Sequence, residues 1–244
     1  MKIGIIGAGN IGATLARKLS ASGHSVKLAN SKGPETIAEL ARDVGATAVR
    51  SDEVVKDADV LILSIPFATY PELADLLKAV AANVAVIDTS NYYPFRDGEI
   101  REVDAGKPES VWVSEQIGRP VIKAWNAGLA ATLADKGQPA GQAGRIALPV
   151  AGDDQNAKAI AMTLVEETGF DAFDAGGLAT SWRQQPGTPA YCTELTVAEL
   201  ATALEAAAQS RAAENRDKLI KKFSETGKMP DHDGVVALNR AVTA

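Results

Sequence analysis

The sequence predicts an α/β chain: a doubly wound, mostly parallel sheet with helices on both faces, followed by a small helical C-terminal portion. Three observations predict it. Short apolar runs at 3–6, 26–29, 46–49, 60–65 and 84–87 alternate with helical patterns, which is the signature of parallel βαβ units. Val60-Leu61-Ile62-Leu63 is apolar without interruption, as a central strand covered on both faces must be. The first run enters a glycine turn and then a helix with no spacer, Gly7-Ala8-Gly9-Asn10-Ile11-Gly12 leading into Ala13 to Leu19.

That glycine run carries the first functional implication. Gly-x-Gly-x-x-Gly between a strand and a helix is the dinucleotide fingerprint of the Rossmann arrangement. Gly7 permits the tight turn, Gly9 lets backbone approach a pyrophosphate, and Gly12 lets the helix pack close against the strand. The pyrophosphate would rest on the positive N-terminus of the helix.

The second strand ends where NAD-binding chains place an Asp or Glu for the ribose 2′-hydroxyl, and no carboxylate stands there. The chain reads Asn30-Ser31-Lys32-Gly33-Pro34 instead. A hydroxyl on Ser31 and a cation on Lys32 suit a 2′-phosphate, so the expected cofactor is NADP(H). A solvated loop lysine is the alternative for Lys32. Pro34 and Glu35 read as first-turn residues of the following helix.

Ligands of an open parallel sheet collect outside the carboxyl ends of its strands. After the fourth strand stands Ser64-Ile65-Pro66-Phe67, with Pro66 and Phe67 on the expected ribose–nicotinamide path. After the fifth stands Asp88-Thr89-Ser90-Asn91-Tyr92-Tyr93, and after the sixth Lys123-Ala124-Trp125-Asn126. Asp88 reads as a turn-former, while Thr89 and Asn126 fit either site or loop chemistry. Lys123 is a candidate general acid or substrate clamp, or else a loop tie through its ammonium. His24 falls in the turn entering strand two, at the end of the sheet away from the ligands; His232 lies near the C-terminus.

Further strands are expected at 121–124, 146–150 and 171–173, and a helix at 153–168 whose apolar positions recur at helical spacing. A stretch rich in Gly, Gln and Pro at 176–189 marks a boundary, giving a nucleotide-binding unit over 1–177 and a helical C-terminal portion over 178–244. Residues 194–223 read as one long helix with Leu195, Leu200, Leu204 and Ala207 on one face and basic residues toward its end. Its apolar face and the tail at 235–242 suggest a homodimer, or simple packing on the sheet.

With 244 residues, 46% of them hydrophobic, the chain can bury a substantial core. The formal net charge of −6, with no basic stripe, argues against nucleic acid or anionic membranes as partners. No apolar run approaches a bilayer span, and strand one begins without a secretory leader, so the expected compartment is cytoplasmic. The single cysteine, Cys192, gives neither an internal disulfide nor a metal-ligand set.

The glycine loop, Asn30 to Pro34, Ser64-Ile65-Pro66, Val121-Ile122-Lys123-Ala124-Trp125-Asn126 and the Pro186-Gly187-Thr188-Pro189 loop together resemble the F420-dependent NADP oxidoreductase family. The resemblance implies NADP in the N-terminal domain and a small C-terminal portion closing over the sheet edge. It also implies direct hydride transfer between nicotinamide and the deazaflavin ring of F420 or a flavin. By the same resemblance Ser31 and Lys32 contact the 2′-phosphate, and Asn10 and Ile11 flank the pyrophosphate and nicotinamide. Pro66, Thr89, Asn126 and the 182–189 loop would shape the acceptor pocket, with Arg183 meeting an anionic acceptor tail.

Direct hydride transfer needs positioning more than acid–base groups, in keeping with the lack of an evident catalytic His. Two other readings stand beside it. One is an NADPH-dependent dehydrogenase or imine reductase acting on a small carbonyl or imine, which a catalytic Lys123 would favour. The other is a sensor that grips NADP without turning it over.

Overall fold

The computed structural model describes residues 1–225 and 230–244. The first half alternates as expected: β1 Lys2–Ile6, α1 Asn10–Ala21, β2 Ser25–Ala29, α2 Ala38–Asp43, β3 Thr47–Ala48, α3 Ser51–Val54, β4 Val60–Leu63, α4 Ala74–Lys78 and β5 Ala85–Asp88. Three helices, α5 Pro94–Asp97, α6 Arg101–Asp104 and α7 Glu109–Ile117, lead to β6 Ile122–Lys123. Then come α8 Ala130–Asp135, β7 Ala147–Val150, α9 Gln155–Glu167 and β8 Asp171–Asp174. The chain closes with α10 Val197–Ala206, α11 Gln209–Glu225 and α12 His232–Thr243.

Six strands form one parallel sheet in the order β3-β2-β1-β4-β5-β6. Its central strands are buried on both faces in strict alternation. Ile3, Ile5, Val60 and Ile62 join one core with Leu15 and Leu19 of α1 and Leu164 of α9. Ile6, Leu61 and Leu63 join the other, with Phe67, Tyr70 and Trp112. Because successive side chains point to opposite faces, only an unbroken apolar run serves both cores. No helix among the described residues is long and apolar enough to cross a membrane.

Two sequence expectations change. The strands expected at 146–150 and 171–173 do not extend the main sheet; β7 and β8 form a separate parallel pair. It is tied to β6 by an antiparallel bridge in which Lys123 and Ala151 exchange backbone hydrogen bonds of 2.8 and 3.0 Å. The single helix expected at 194–223 is two, separated at Ala207, which is extended (φ −61°, ψ 132°). The break lets Leu200 and Leu204 of α10 pack beside Ala147 of β7, while α11 turns to lie against Gly187. There the backbones meet so closely that a Cβ on Gly187 would stand 2.0 Å from the Ala212 carbonyl oxygen. Tertiary packing overrides the helical propensity of Ala206-Ala207-Ala208.

Candidate active site

The glycine turn is built by backbone crowding. Gly7 has φ +111°, and a Cβ there would stand 1.9 Å from the Ser64 carbonyl oxygen; a Cβ on Gly12 would stand 1.9 Å from the Gly7 carbonyl oxygen. Gly9 differs, since a Cβ there would meet nothing within 4 Å. It projects into open space at the start of α1, whose first turn has no side-chain cap and no acidic residue. Backbone N–H groups left free at a helix N-terminus, with space beside them, fit a pyrophosphate.

A cavity of about 390 Å³ opens from this turn along the carboxyl ends of β1, β4 and β5. Gly9, Asn10, Ile11, Ser64, Ile65, Pro66 and Thr89 all line it, so the structure brings seven of the expected residues to one place. Asn30, Ser31 and Lys32 stand apart, at the end of β2. Asn30 Oδ1 accepts the Lys32 backbone N–H at 3.1 Å and its amide donates to Thr36 Oγ1 at 2.9 Å, which shapes the turn and leaves Ser31 and Lys32 exposed. Phe67, expected on the nicotinamide path, instead lies wholly buried in the second core, stacked on Trp112 at 4.8 Å.

Lys123 does not reach the cavity. It is fully buried, donates to the Ser90 carbonyl at 3.1 Å, and lies 3.4 Å from Glu109 Oε2 and 3.7 Å from Asp88 Oδ2. Asp88 in turn accepts from Tyr70 Oη at 2.5 Å, the Ser90 amide at 2.8 Å, and Ser90 and Ser110 hydroxyls, both at 2.6 Å. This buried network, with Lys123 as one of its ties, pins the loop carrying Ser90 and Asn91 behind the cavity. Glu109 is so deeply buried that its carboxyl is pushed up from its ordinary 4.5 to about 7, with Lys123 opposing the shift.

Asn126 is likewise a clamp. It donates to Asn91 Oδ1 at 3.0 Å and to the Gln184 carbonyl at 2.8 Å, and accepts from Gln184 Nε2 at 2.9 Å. Arg183 stacks over Trp182 at 5.5 Å and lines neither this cavity nor the more apolar one that adjoins it. His24 is tied to Glu167 at 2.5 Å and His232 to Glu194 at 2.6 Å, both away from the cavity.

A second, more apolar cavity of about 540 Å³ adjoins the first, walled by Phe95, Pro186, Leu219, Ile220, Phe223 and Val235. Tyr93, Leu129, Tyr191 and Cys192 line both cavities and form their common wall. The backbone around this wall is held in the left-handed region at Trp125 (φ 58°), Cys192 (φ 54°) and Glu194 (φ 50°), none of them glycine. Such outliers persist only where packing over-determines them, and they cluster at functional sites. Burial pushes the Cys192 thiol up to about 12, so it is no nucleophile. The sequence flagged Asn91 and Tyr93 as part of a polar, aromatic cluster but gave no local sign of Leu129, Tyr191 or Cys192, which arrive from distant segments.

Residues 2–92 match the family model described as NADP oxidoreductase, coenzyme F420-dependent. Protein YjhV of Escherichia coli (strain K12) is 38% identical over 104 residues, 43% of this chain and 76% of its own length. The chain belongs to the F420-dependent NADP oxidoreductase family. The hypothetical protein SMa0349 of Sinorhizobium meliloti superposes with a TM-score of 0.68 at 31% identity, over 80% of this chain and 95% of that one. A proposed F420-dependent NADP reductase of Arthrobacter sp. FB24 shares the fold, with a TM-score of 0.61 at 22% identity over 93% of this chain and 96% of its own. As a member of the F420-dependent NADP oxidoreductase family, the chain is an NADP-dependent oxidoreductase. The family match ends at Tyr92, so the whole common wall lies beyond it.

Proposed function

We propose that the protein transfers hydride between NADP(H) in the glycine-loop cavity and a planar acceptor of the deazaflavin or flavin class in the apolar cavity. The observation that carries this reading is the junction of the two cavities at a single wall. Pyrophosphate would lie on Gly9, Asn10 and Ile11, the 2′-phosphate on Ser31 and Lys32 beside the Asn30 turn, and nicotinamide among Ser64, Ile65, Pro66 and Thr89. Bound nicotinamide supplies the hydride; the chain's task is to hold the reacting atoms about 3–3.5 Å apart and exclude water. Leu219, Ile220 and Phe223 suit an apolar ring, and Arg216, which also lines that cavity, takes the place expected of Arg183 toward an anionic tail.

Residues 1–177 are then the nucleotide-binding domain and 178–244 the portion that closes the acceptor cavity. We place the protein in the cytoplasm as a homodimer, to be checked by sedimentation equilibrium. A second reading, reduction of a carbonyl or imine, is favoured by the hydroxyl groups of Tyr93 and Tyr191 on the common wall.

The test is NADPH oxidation by the purified protein with F420, free flavin and a panel of small carbonyls and imines offered separately. Turnover with F420 or flavin alone supports the first reading, and turnover only with a carbonyl or imine replaces it with the second. Tight NADPH binding with no turnover at all would favour a sensor.

A further inference from the structure

Lys123 and the histidines are spoken for by buried or peripheral contacts, which leaves the common wall as the place to look for a proton. Tyr93 and Tyr191 meet there hydroxyl to hydroxyl, 2.8 Å apart, although they stand 98 positions apart in the chain. Among the described residues neither phenol bonds any other oxygen or nitrogen. Two phenols carry two O–H protons, and their mutual bond uses one. The second has only the neighbouring Cys192 sulfur, a weak acceptor.

We propose that the Tyr93–Tyr191 hydroxyl pair is the proton donor of the reaction, delivering its unspent O–H to an acceptor heteroatom as hydride arrives at the conjugated ring atom that receives it. The inference rests on the assignment of the two cavities made above. The C–H bond of the dihydronicotinamide breaks with its electron pair, and a new bond to that hydrogen forms on the acceptor, C–H on a deazaflavin and N–H on a flavin. The displaced π pair of the acceptor moves to its oxygen or nitrogen, which takes the phenolic proton as the O–H bond breaks. NADPH is oxidised and the acceptor reduced; the phenolate is refilled through its partner hydroxyl and then from solvent. Burial holds both phenols above their usual range, so the proton is in place at neutral pH. The groups facing the pair are the Arg96 guanidinium, 5.4 Å from the Tyr93 ring, the Cys192 thiol and the more distant Glu109.

The test compares wild type, Tyr93→Phe, Tyr191→Phe and the double variant by single-turnover NADPH oxidation. Alongside it, NADPH affinity, thermal melting and riboflavin binding to the NADP⁺-loaded protein are read by fluorescence. The double variant should lose about 100-fold or more in rate, with singles losing less because one O–H survives. NADPH affinity and melting should stay unchanged, while the double variant binds riboflavin about fivefold more weakly for want of a hydrogen bond to the ring. Rates within about threefold of wild type in the double variant would overturn the assignment, since a general acid contributes more than that. So would a rate loss that tracks a fall in melting temperature and NADPH affinity. A wild type that neither turns over any acceptor nor binds riboflavin overturns both the acceptor cavity and the donor; a working wild type with undisturbed variants overturns the donor alone.

Discussion

Gly7 and Ser64 approach until a Cβ on the glycine would stand 1.9 Å from the serine carbonyl oxygen, whereas two residues on Gly9 faces nothing within 4 Å. The two glycines therefore predict different failures. Gly7→Ala forces apart β1 and the loop after β4 in a backbone conformation alanine resists, and should cost about 3 kcal/mol or more in denaturant unfolding. Gly9→Ala should unfold like wild type but bind NADPH at least about tenfold more weakly, because its methyl group would occupy the place proposed for the pyrophosphate. Equal stability losses in the two variants would contradict this division.

Lys32 tests the choice of cofactor. If its ammonium meets the 2′-phosphate, Lys32→Ala should weaken NADPH by about tenfold or more, the worth of one charge-assisted hydrogen bond, and leave NADH almost unchanged. Raised salt should narrow the difference, since both Ser31 and Lys32 are exposed. Isothermal titration with both nucleotides decides it, and equal weakening would defeat the phosphate role.

The legibility of this chain divides along its length. The N-terminal half was readable because its signals are local: Val60-Leu61-Ile62-Leu63 announces a doubly covered strand and the glycine spacing announces the turn. What the sequence hid depends on contacts between distant segments. Phe67 follows Pro66 directly, yet its ring turns into the core rather than the cavity. The Tyr93–Tyr191 contact and the Lys123–Glu109 pair have no periodicity to betray them, and the pairing of β7 with β8 rather than with the main sheet is a matter of register.

Lys123 is predicted to matter through the loop it ties. Lys123→Met removes the cation from a buried pocket holding Asp88 and Glu109, and breaking such a pair typically costs about 3–5 kcal/mol. Adding Glu109→Gln should recover part of that loss, since one uncompensated carboxyl goes with it. Urea unfolding of the single and double variants measures the coupling. A general acid would instead show a large loss of turnover at unchanged stability.

Glu109 gives the fold a pH dependence of definite sign. Its carboxyl titrates near 7 in the native protein against 4.5 ordinarily, so between those values the native state holds more protons than the unfolded one. The stabilisation is complete below about 4.5 and disappears as pH rises through 7. Wild type should therefore lose stability on the order of 1–3 kcal/mol from this group between mildly acidic and mildly alkaline pH. Glu109→Gln should flatten that slope, and a variant with the wild-type slope would assign the dependence elsewhere.

The break between α10 and α11 yields the last prediction. The Ala208 carbonyl accepts the Arg211 amide at 3.0 Å, which places Ala208 at the start of α11 with no side chain to cap it. Ala208→Asp would supply an oxygen for the free N–H groups of the first turn and a negative charge at the positive end of the helix. The expected gain is about 0.5–1.5 kcal/mol, visible as a rise in melting temperature, with NADPH affinity unchanged. Were 194–223 one continuous helix, the same aspartate would sit in its interior and cost about 0.5 kcal/mol instead. The sign of the change thus reports whether α11 begins anew at this point, and with it whether the helix that walls the apolar cavity is placed by its own cap or by the helix before it.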